Sequence, residues 1–137
     1  MSDILPKKAQ VVIIGGGVVG CSVAYHLSKL GYTDIVLLER KKLTSGTTWH
    51  AAGLLPLFNM SYSVGKIHKY SVDLYQQLEG ETGQPVGFHR NGNLRLARTQ
   101  ERMDEYRRYT GTASTIGVPY HLIGPEEVKI LWPFVEV

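Results

Sequence analysis

The sequence predicts an α/β fold that begins with a parallel β–α–β unit, and three neighbouring patterns predict it. Val11-Val12-Ile13-Ile14 is a run of β-branched residues, which favours a strand buried on both faces. A glycine-rich turn and a helical pattern, from about Gly17 to Leu30, come next. Ile35-Val36-Leu37-Leu38 then favours a second buried strand. The first helix is expected to lay one apolar stripe on the sheet, formed by Val19, Val23, Leu27 and Leu30.

The glycine-rich turn has the spacing Gly15-x-Gly17-x-x-Gly20 between strand and helix. In that context Gly15 allows a tight turn, Gly17 allows the backbone to approach a pyrophosphate, and Gly20 allows close packing of helix on strand. The N–H groups of Val18 and Val19 face the phosphates, with the positive end of the helix dipole behind them. The turn therefore predicts a dinucleotide site.

A carboxylate follows the second strand at Glu39, 19 residues after Gly20. An acid about 20 residues after the glycines typically binds the ribose hydroxyls. A glutamate there favours an unphosphorylated ribose, and so NAD or FAD over NADP. The competing interpretation is a glycine-rich turn in an ordinary α/β protein with a surface glutamate.

Small and hydroxylated residues dominate the segment after Glu39, from Arg40 to Pro56. Ala51-Ala52-Gly53 suits a short helical turn whose N-terminus points at a second phosphate or a ribityl chain. A polar connecting loop is the alternative, but such a loop has no need of Trp49-His50 between small residues. A second phosphate-binding segment favours FAD, which is longer than a simple nucleotide.

The rest of the chain predicts more helix and short strands, with no repeats. Two domains are expected, an incomplete FAD-binding domain over 1–86 and the start of an α+β substrate domain over 87–137. The predicted elements are a helix over Val64–Glu79, a half-buried strand around Leu94 and Leu96, a helix capped by Thr99 and stopped by Gly117, a short strand over Tyr120–Ile123 and a helix opened by Gly124-Pro125.

Composition excludes several classes of protein. The net charge of +3 is mild and the cations lie among acids, which disfavours nucleic-acid binding. The single cysteine, Cys21, excludes an internal disulfide and is expected to be a small core residue. No apolar run approaches the ~18 residues of a membrane span, and no metal site is expected. The first ten residues are too short and acidic for a signal or transit peptide, which favours the cytoplasm.

Three motifs resemble the dimethylglycine and sarcosine dehydrogenases, within the D-amino-acid-oxidase-like FAD oxidoreductases. They are Ile13-Ile14-Gly15-Gly16-Gly17-Val18-Val19-Gly20, Leu37-Leu38-Glu39-Arg40, and Leu43-Thr44-Ser45-Gly46-Thr47-Thr48-Trp49-His50-Ala51-Ala52-Gly53-Leu54. The likeness continues through Gly92-Asn93-Leu94-Arg95-Leu96-Ala97 to Trp132-Pro133 and covers nearly the whole chain. It implies a Rossmann-like FAD-binding unit of the glutathione-reductase-2 type, in the N-terminal part of a longer protein.

The resemblance also implies a reaction and a covalent cofactor. His50 matches the histidine that the family joins to the 8α-methyl group of FAD. The implied reaction is oxidation of an N-methyl amino acid by hydride transfer to the flavin, with an electron-transferring flavoprotein or oxygen as acceptor. Tetrahydrofolate would bind only in a C-terminal module beyond these residues, and eukaryotic relatives work in the mitochondrial matrix. No catalytic residue can be named, and the 137 residues alone are expected to be inactive.

Two other functions compete with this one. The first is a non-catalytic flavin-binding module resembling the pyruvate dehydrogenase phosphatase regulatory subunit, against which the presence of His50 argues. The second is an NAD dehydrogenase, which leaves the segment from Ser45 to Leu54 without a role. The expected cofactor-binding residues are Gly15, Gly17, Val18, Val19, Gly20, Glu39, Arg40, Ser45, Gly46, Thr47, Thr48, Trp49, His50, Ala51, Ala52, Gly53 and Leu54.

Overall fold

A computed structural model describes residues 6–136, which belong to two compact units that meet in sequence between Leu54 and Leu55. The first unit contains strand β1 (Val11–Ile14), helix α1 (Val18–Lys29) and strand β2 (Ile35–Leu38). The strands are parallel, with Val11 opposite Ile35 and Ile14 opposite Leu38. The predicted β–α–β unit is confirmed.

Helix α1 packs on β1 through a glycine. Ile13 is the buried residue of β1, and a Cβ added to Gly20 would lie 3.4 Å from its Cγ2 atom. The predicted bounds of the helix are confirmed, since Gly17 is the N-cap and Leu30 the C-cap. Gly31 follows with φ +90°, the left-handed conformation that commonly ends helices.

The predicted packing stripe of α1 is wrong. Val19 and Leu30 are 73% and 74% exposed, and Val23 is exposed as well. The spacing of large apolar residues predicts the stripe, whereas the helix approaches the sheet at Gly20, where no side chain intervenes. Leu27, the fourth residue of the predicted stripe, is half-buried.

The expectation that the strands are buried on both faces is also wrong for the described residues. Ile14 is 87% exposed and Val12 is exposed, while Ile13 between them is buried. Successive side chains of a strand point to opposite faces, and α1 covers only the face that carries Ile13. β1 therefore contains apolar side chains, those of Val12 and Ile14, that remain exposed within residues 6–136.

The second unit is helical in its described part. It contains α2 (Tyr62–Thr82), α3 (Gln100–Ile116) and α4 (Pro125–Leu131). The Thr99 side chain accepts a hydrogen bond from the Arg102 N–H and caps α3, and Gly117 ends that helix with φ +78°. The predicted α3 and α4 are confirmed, and α2 is longer at both ends than the predicted 64–79.

Helices α2 and α3 meet at a glycine as well. A Cβ added to Gly65 would overlap the Ile116 side chain, and both residues are buried. Val72 of α2 and Val128 of α4 are 3% and 4% exposed. None of the helices within residues 6–136 is long and apolar enough to cross a membrane.

Two predicted strands of this unit are not formed. The segments around Leu94–Leu96 and Tyr120–Ile123 are irregular, and β1 and β2 form the one sheet of the described residues. A strand exists only where its N–H and C=O groups pair with a neighbour, which a sequence pattern cannot supply. The predicted domain division between 86 and 87 falls inside the second unit and stays a proposal.

Candidate cofactor site

The glycine turn lies where both strands end. Gly15 has φ +106°, a conformation that favours glycine, and its N–H donates to the Leu38 carbonyl oxygen at 2.8 Å. The turn is thus fixed to the carboxyl end of β2 as well as to β1. Ligands of parallel α/β sheets bind at this edge.

Glu39 is held against the glycine turn by its own carboxylate. One oxygen accepts from the Gly16 N–H at 2.8 Å and the other from the Lys41 N–H at 2.9 Å. The hydrogen bond from Gly16, followed by that from Lys41, lowers the pKa of Glu39 below its ordinary value of 4.5. The side chain is therefore an anion at neutral pH, and its role toward a ribose stays a prediction.

These two hydrogen bonds predict a pH dependence of stability. Because the folded pKa of Glu39 is lowered, its contribution is present above the unfolded value of 4.5 and is lost as pH falls through the folded value. Glu39→Gln should therefore destabilise the protein at neutral pH and cost progressively less below 4.5. Urea unfolding of both proteins across this range measures the difference. A constant difference at all pH values would contradict the assignment.

Gly16 is the residue of this site that the spacing rule misses. It occupies a position that the G-x-G-x-x-G pattern leaves free, yet it is buried. A Cβ there would lie 2.5 Å from Leu43 Cδ2 and 3.0 Å from Glu39 Cβ. The sequence signal was the middle glycine of three in a row, between Gly15 and Gly17. Gly16 lets the chain after β2 close over the turn.

That closure includes a backbone hydrogen bond from Thr44. Its N–H donates to the Gly16 carbonyl oxygen at 2.8 Å, and its φ of +63° is the one positive value among the described non-glycine residues. A positive φ at a β-branched residue is strained and persists only where the surroundings impose it. The segment after Glu39 is thus held on the glycine turn.

The helical turn of this segment begins earlier than predicted. A 3₁₀ turn spans Thr47–His50, and Ala51 is already extended. The prediction of a helical turn over Ala51-Ala52-Gly53 is therefore wrong. Gly53 has φ +71°, which a right-handed helix cannot accommodate.

Thr48 connects this 3₁₀ turn to α1. Its Oγ1 atom accepts a hydrogen bond from the Val18 N–H at 2.9 Å. The first N–H groups of a helix have no partner within the helix, and Gly17 has no side chain to supply one. The structure therefore brings the 47–50 turn to the predicted phosphate-binding end of α1.

His50 is exposed, and one of its ring nitrogens is already engaged. Nδ1 lies 3.0 Å from the Gly46 carbonyl oxygen. A carbonyl can only accept, so Nδ1 carries the proton and Nε2 of the neutral ring keeps its lone pair. The neighbouring Trp49 is 79% exposed.

Four other predicted site residues have exposed side chains, and no hydrogen bond described for residues 6–136 joins them to the glycine turn. They are Arg40, Ser45, Ala52 and Leu54. Cys21, expected in the core, is half-buried and its Sγ donates to the Gly16 carbonyl oxygen at 3.6 Å.

Within the described chain no group of three or more His, Cys, Asp or Glu side chains could hold a metal ion.

A parallel β–α–β unit with a positive-φ glycine turn and a carboxylate at the end of its second strand defines a dinucleotide-binding class of fold. Comparison with known proteins narrows the class. The model of the family described as "FAD dependent oxidoreductase" matches residues 10–137, and the chain belongs to that family.

Curated relatives agree with this assignment. Over 130 residues the chain is 48% identical to mitochondrial dimethylglycine dehydrogenase of Rattus norvegicus, and over 134 residues it is 45% identical to mitochondrial sarcosine dehydrogenase of Homo sapiens. It is 46% identical over 136 residues to the mitochondrial pyruvate dehydrogenase phosphatase regulatory subunit of Mus musculus. These matches cover 95%, 97% and 99% of the chain but only 15–16% of each relative. The predicted resemblance is confirmed.

A solved structure confirms the fold. L-proline dehydrogenase from P. horikoshii superposes with a TM-score of 0.85 at 31% sequence identity. The match covers 94% of this chain and 34% of that protein. The fold is thus similar to that of an experimentally determined dehydrogenase.

Proposed function

We propose that the protein carrying this chain oxidises an N-methyl amino acid, such as dimethylglycine or sarcosine, and that this chain holds part of its FAD. The observation that carries the proposal is the 47–50 turn, which places His50 in the segment hydrogen-bonded to the N-terminus of α1. FAD, when bound, supplies the hydride acceptor. An electron-transferring flavoprotein or oxygen is proposed as the final acceptor. Tetrahydrofolate is not proposed for these residues.

The residues present fit an FAD molecule in three respects. The first turn of α1 contains no acidic residue, so nothing there repels a pyrophosphate at the positive end of the helix dipole. The Val19 N–H lies in the first turn of that helix, whereas the Val18 N–H already donates to Thr48 Oγ1, so the prediction that it faces the phosphates is wrong in this structure. The Glu39 carboxylate lies at the end of β2, where it can accept from ribose hydroxyls.

Covalent attachment through His50 is the finer part of the proposal. The hydrogen bond to the Gly46 carbonyl fixes the tautomer in which Nε2 is unprotonated, and the side chain is exposed. A neutral imidazole nitrogen is a nucleophile near physiological pH. We therefore assign Nε2 as the atom that would bond to the 8α-carbon of FAD in place of one methyl C–H bond; the two electrons released would reduce the flavin ring and pass to the proposed flavoprotein or oxygen acceptor, and the protons would go to solvent.

Anaerobic reduction of the holoprotein tests the substrate class. Dimethylglycine and sarcosine should bleach the flavin at least about tenfold faster than glycine, which corresponds to about 1.4 kcal/mol of transition-state discrimination. Glycine is the matched control because it keeps the carboxylate and amine but lacks the N-methyl group. L-Proline is tested as a further substrate, because the solved structure that matches this chain is an L-proline dehydrogenase. A yellow protein that no N-methyl amine bleaches would contradict the proposal.

That contradicting result would favour a second candidate, a flavin-binding regulatory module. The observation behind it is the 46% identity to the Mus musculus regulatory subunit. As for compartment, the cytoplasm stays a proposal, and the names of three relatives place those proteins in mitochondria.

A further inference from the structure

We propose that Thr48 is a positioning residue that holds the His50 turn on the N-terminal end of α1. The inference rests on the proposed function, because it concerns how fast His50 becomes attached to the flavin. The sequence predicts that Thr48 binds the cofactor, whereas we infer that its hydroxyl binds the protein's own backbone at Val18.

The first argument is that Thr48 does the work of a missing N-cap. Gly17 occupies the N-cap of α1 and has no side chain to accept from the helix. The Thr48 hydroxyl oxygen accepts from the Val18 N–H at 2.9 Å instead, from 30 residues further along the chain. In an ordinary N-cap, the side chain of the N-cap residue itself accepts from an N–H group two or three residues later in the chain. Here the hydrogen bond also ties two distant segments together.

The second argument is the space left for this hydroxyl. A Cβ added to Gly17 would lie 3.2 Å from Thr48 Oγ1, closer than most real Cβ contacts. Gly17 therefore makes room for Thr48 as well as for the expected approach of a pyrophosphate. Thr48 is half-buried, whereas Thr47, Trp49 and His50 around it are exposed.

The third argument is that Thr48 and His50 belong to one hydrogen-bonded turn. The Trp49 N–H and the His50 Nδ1 both bond to the Gly46 carbonyl, and the Ala51 N–H donates to the Thr48 carbonyl at 3.2 Å. Two hydrogen bonds described for residues 6–136 join residues 43–50 to the glycine turn or to α1. The Thr44 N–H donates to the Gly16 carbonyl oxygen, and the Thr48 hydroxyl accepts from the Val18 N–H. Without the Thr48 hydroxyl, the described hydrogen bond that still joins this segment to the glycine turn is that of Thr44, six residues before His50.

The test compares Thr48→Val, which keeps the shape but removes the acceptor, with Thr48→Ser, which keeps the acceptor. FAD is added to the apoprotein of the complete gene product, and the ratio of acid-stable to total flavin is followed with time. Thr48→Val should attach flavin about fivefold more slowly, the effect expected of one lost cap hydrogen bond. Thr48→Ser should remain within about twofold of the wild type. Thr33→Val, at an exposed loop position, is the matched control and should not change the rate.

Each result decides the inference. A wild-type rate in Thr48→Val, or an equal slowing in Thr48→Ser, would overturn it. If the wild type holds FAD but never covalently, the attachment proposed for His50 fails, and hydrogen exchange at the Val18 amide tests Thr48 by itself. Exchange about fivefold faster in Thr48→Val would then support the inference, and unchanged exchange would overturn it.

Discussion

Replacing Gly20 with alanine is expected to destabilise the β–α–β unit by about 3 kcal/mol and to abolish FAD binding. An added Cβ would overlap the Gly15 carbonyl oxygen and lie 3.1 Å from the Gly15 carbonyl carbon. Both are backbone atoms of the turn that β2 also holds, so they cannot move aside as a side chain can. Urea unfolding and the flavin content of the purified protein measure the two effects.

Two other glycines provide controls for this substitution. Gly80 of α2 and Gly111 of α3 lie within helices, and an added Cβ would meet nothing within 4 Å. Alanine at either position should stabilise its helix by roughly 0.5–1 kcal/mol. An unfolding midpoint of Gly20→Ala equal to that of the wild type would refute the close contact between α1 and the glycine turn.

Replacing His50 with alanine is expected to remove covalent flavin almost completely while leaving some FAD bound. The glycine turn and the Glu39 carboxylate do not depend on the imidazole, whose described hydrogen bond is to Gly46. Acid precipitation separates the two forms, because only covalent flavin remains with the denatured polypeptide. His121→Ala, at an exposed loop position of the second unit, is the matched control and should keep its covalent flavin. Acid-stable flavin in His50→Ala would contradict the assignment.

The parts of the fold that were predictable depend on signals close together in sequence. The glycine spacing located α1, and Thr99 with Gly117 located α3, because caps act on the adjoining turn of the same helix. Apolar runs located both strands of the parallel pair, because runs of β-branched residues favour strands. Signals close together in sequence were sufficient to locate these elements.

The errors arise where contacts join distant residues. The packing face of α1 depends on how Gly20 meets β1, and the strand predicted at Leu94–Leu96 depends on a partner that a pattern cannot supply. In the site, Glu39 was predictable from its distance to Gly20. The closure of Leu43 over Gly16 and the Thr48 bond to Val18 span 27 and 30 residues, and no periodicity encodes them.

Peptide mapping of the native holoprotein tests the central claim most directly, since it locates any covalent flavin on a named residue. The denatured protein is digested, and the peptide containing Trp49 and His50 is fragmented in a mass spectrometer. We predict that this peptide carries the mass of FAD on the His50 imidazole and shows flavin fluorescence. An unmodified His50 peptide from a protein that was yellow before denaturation would contradict the account.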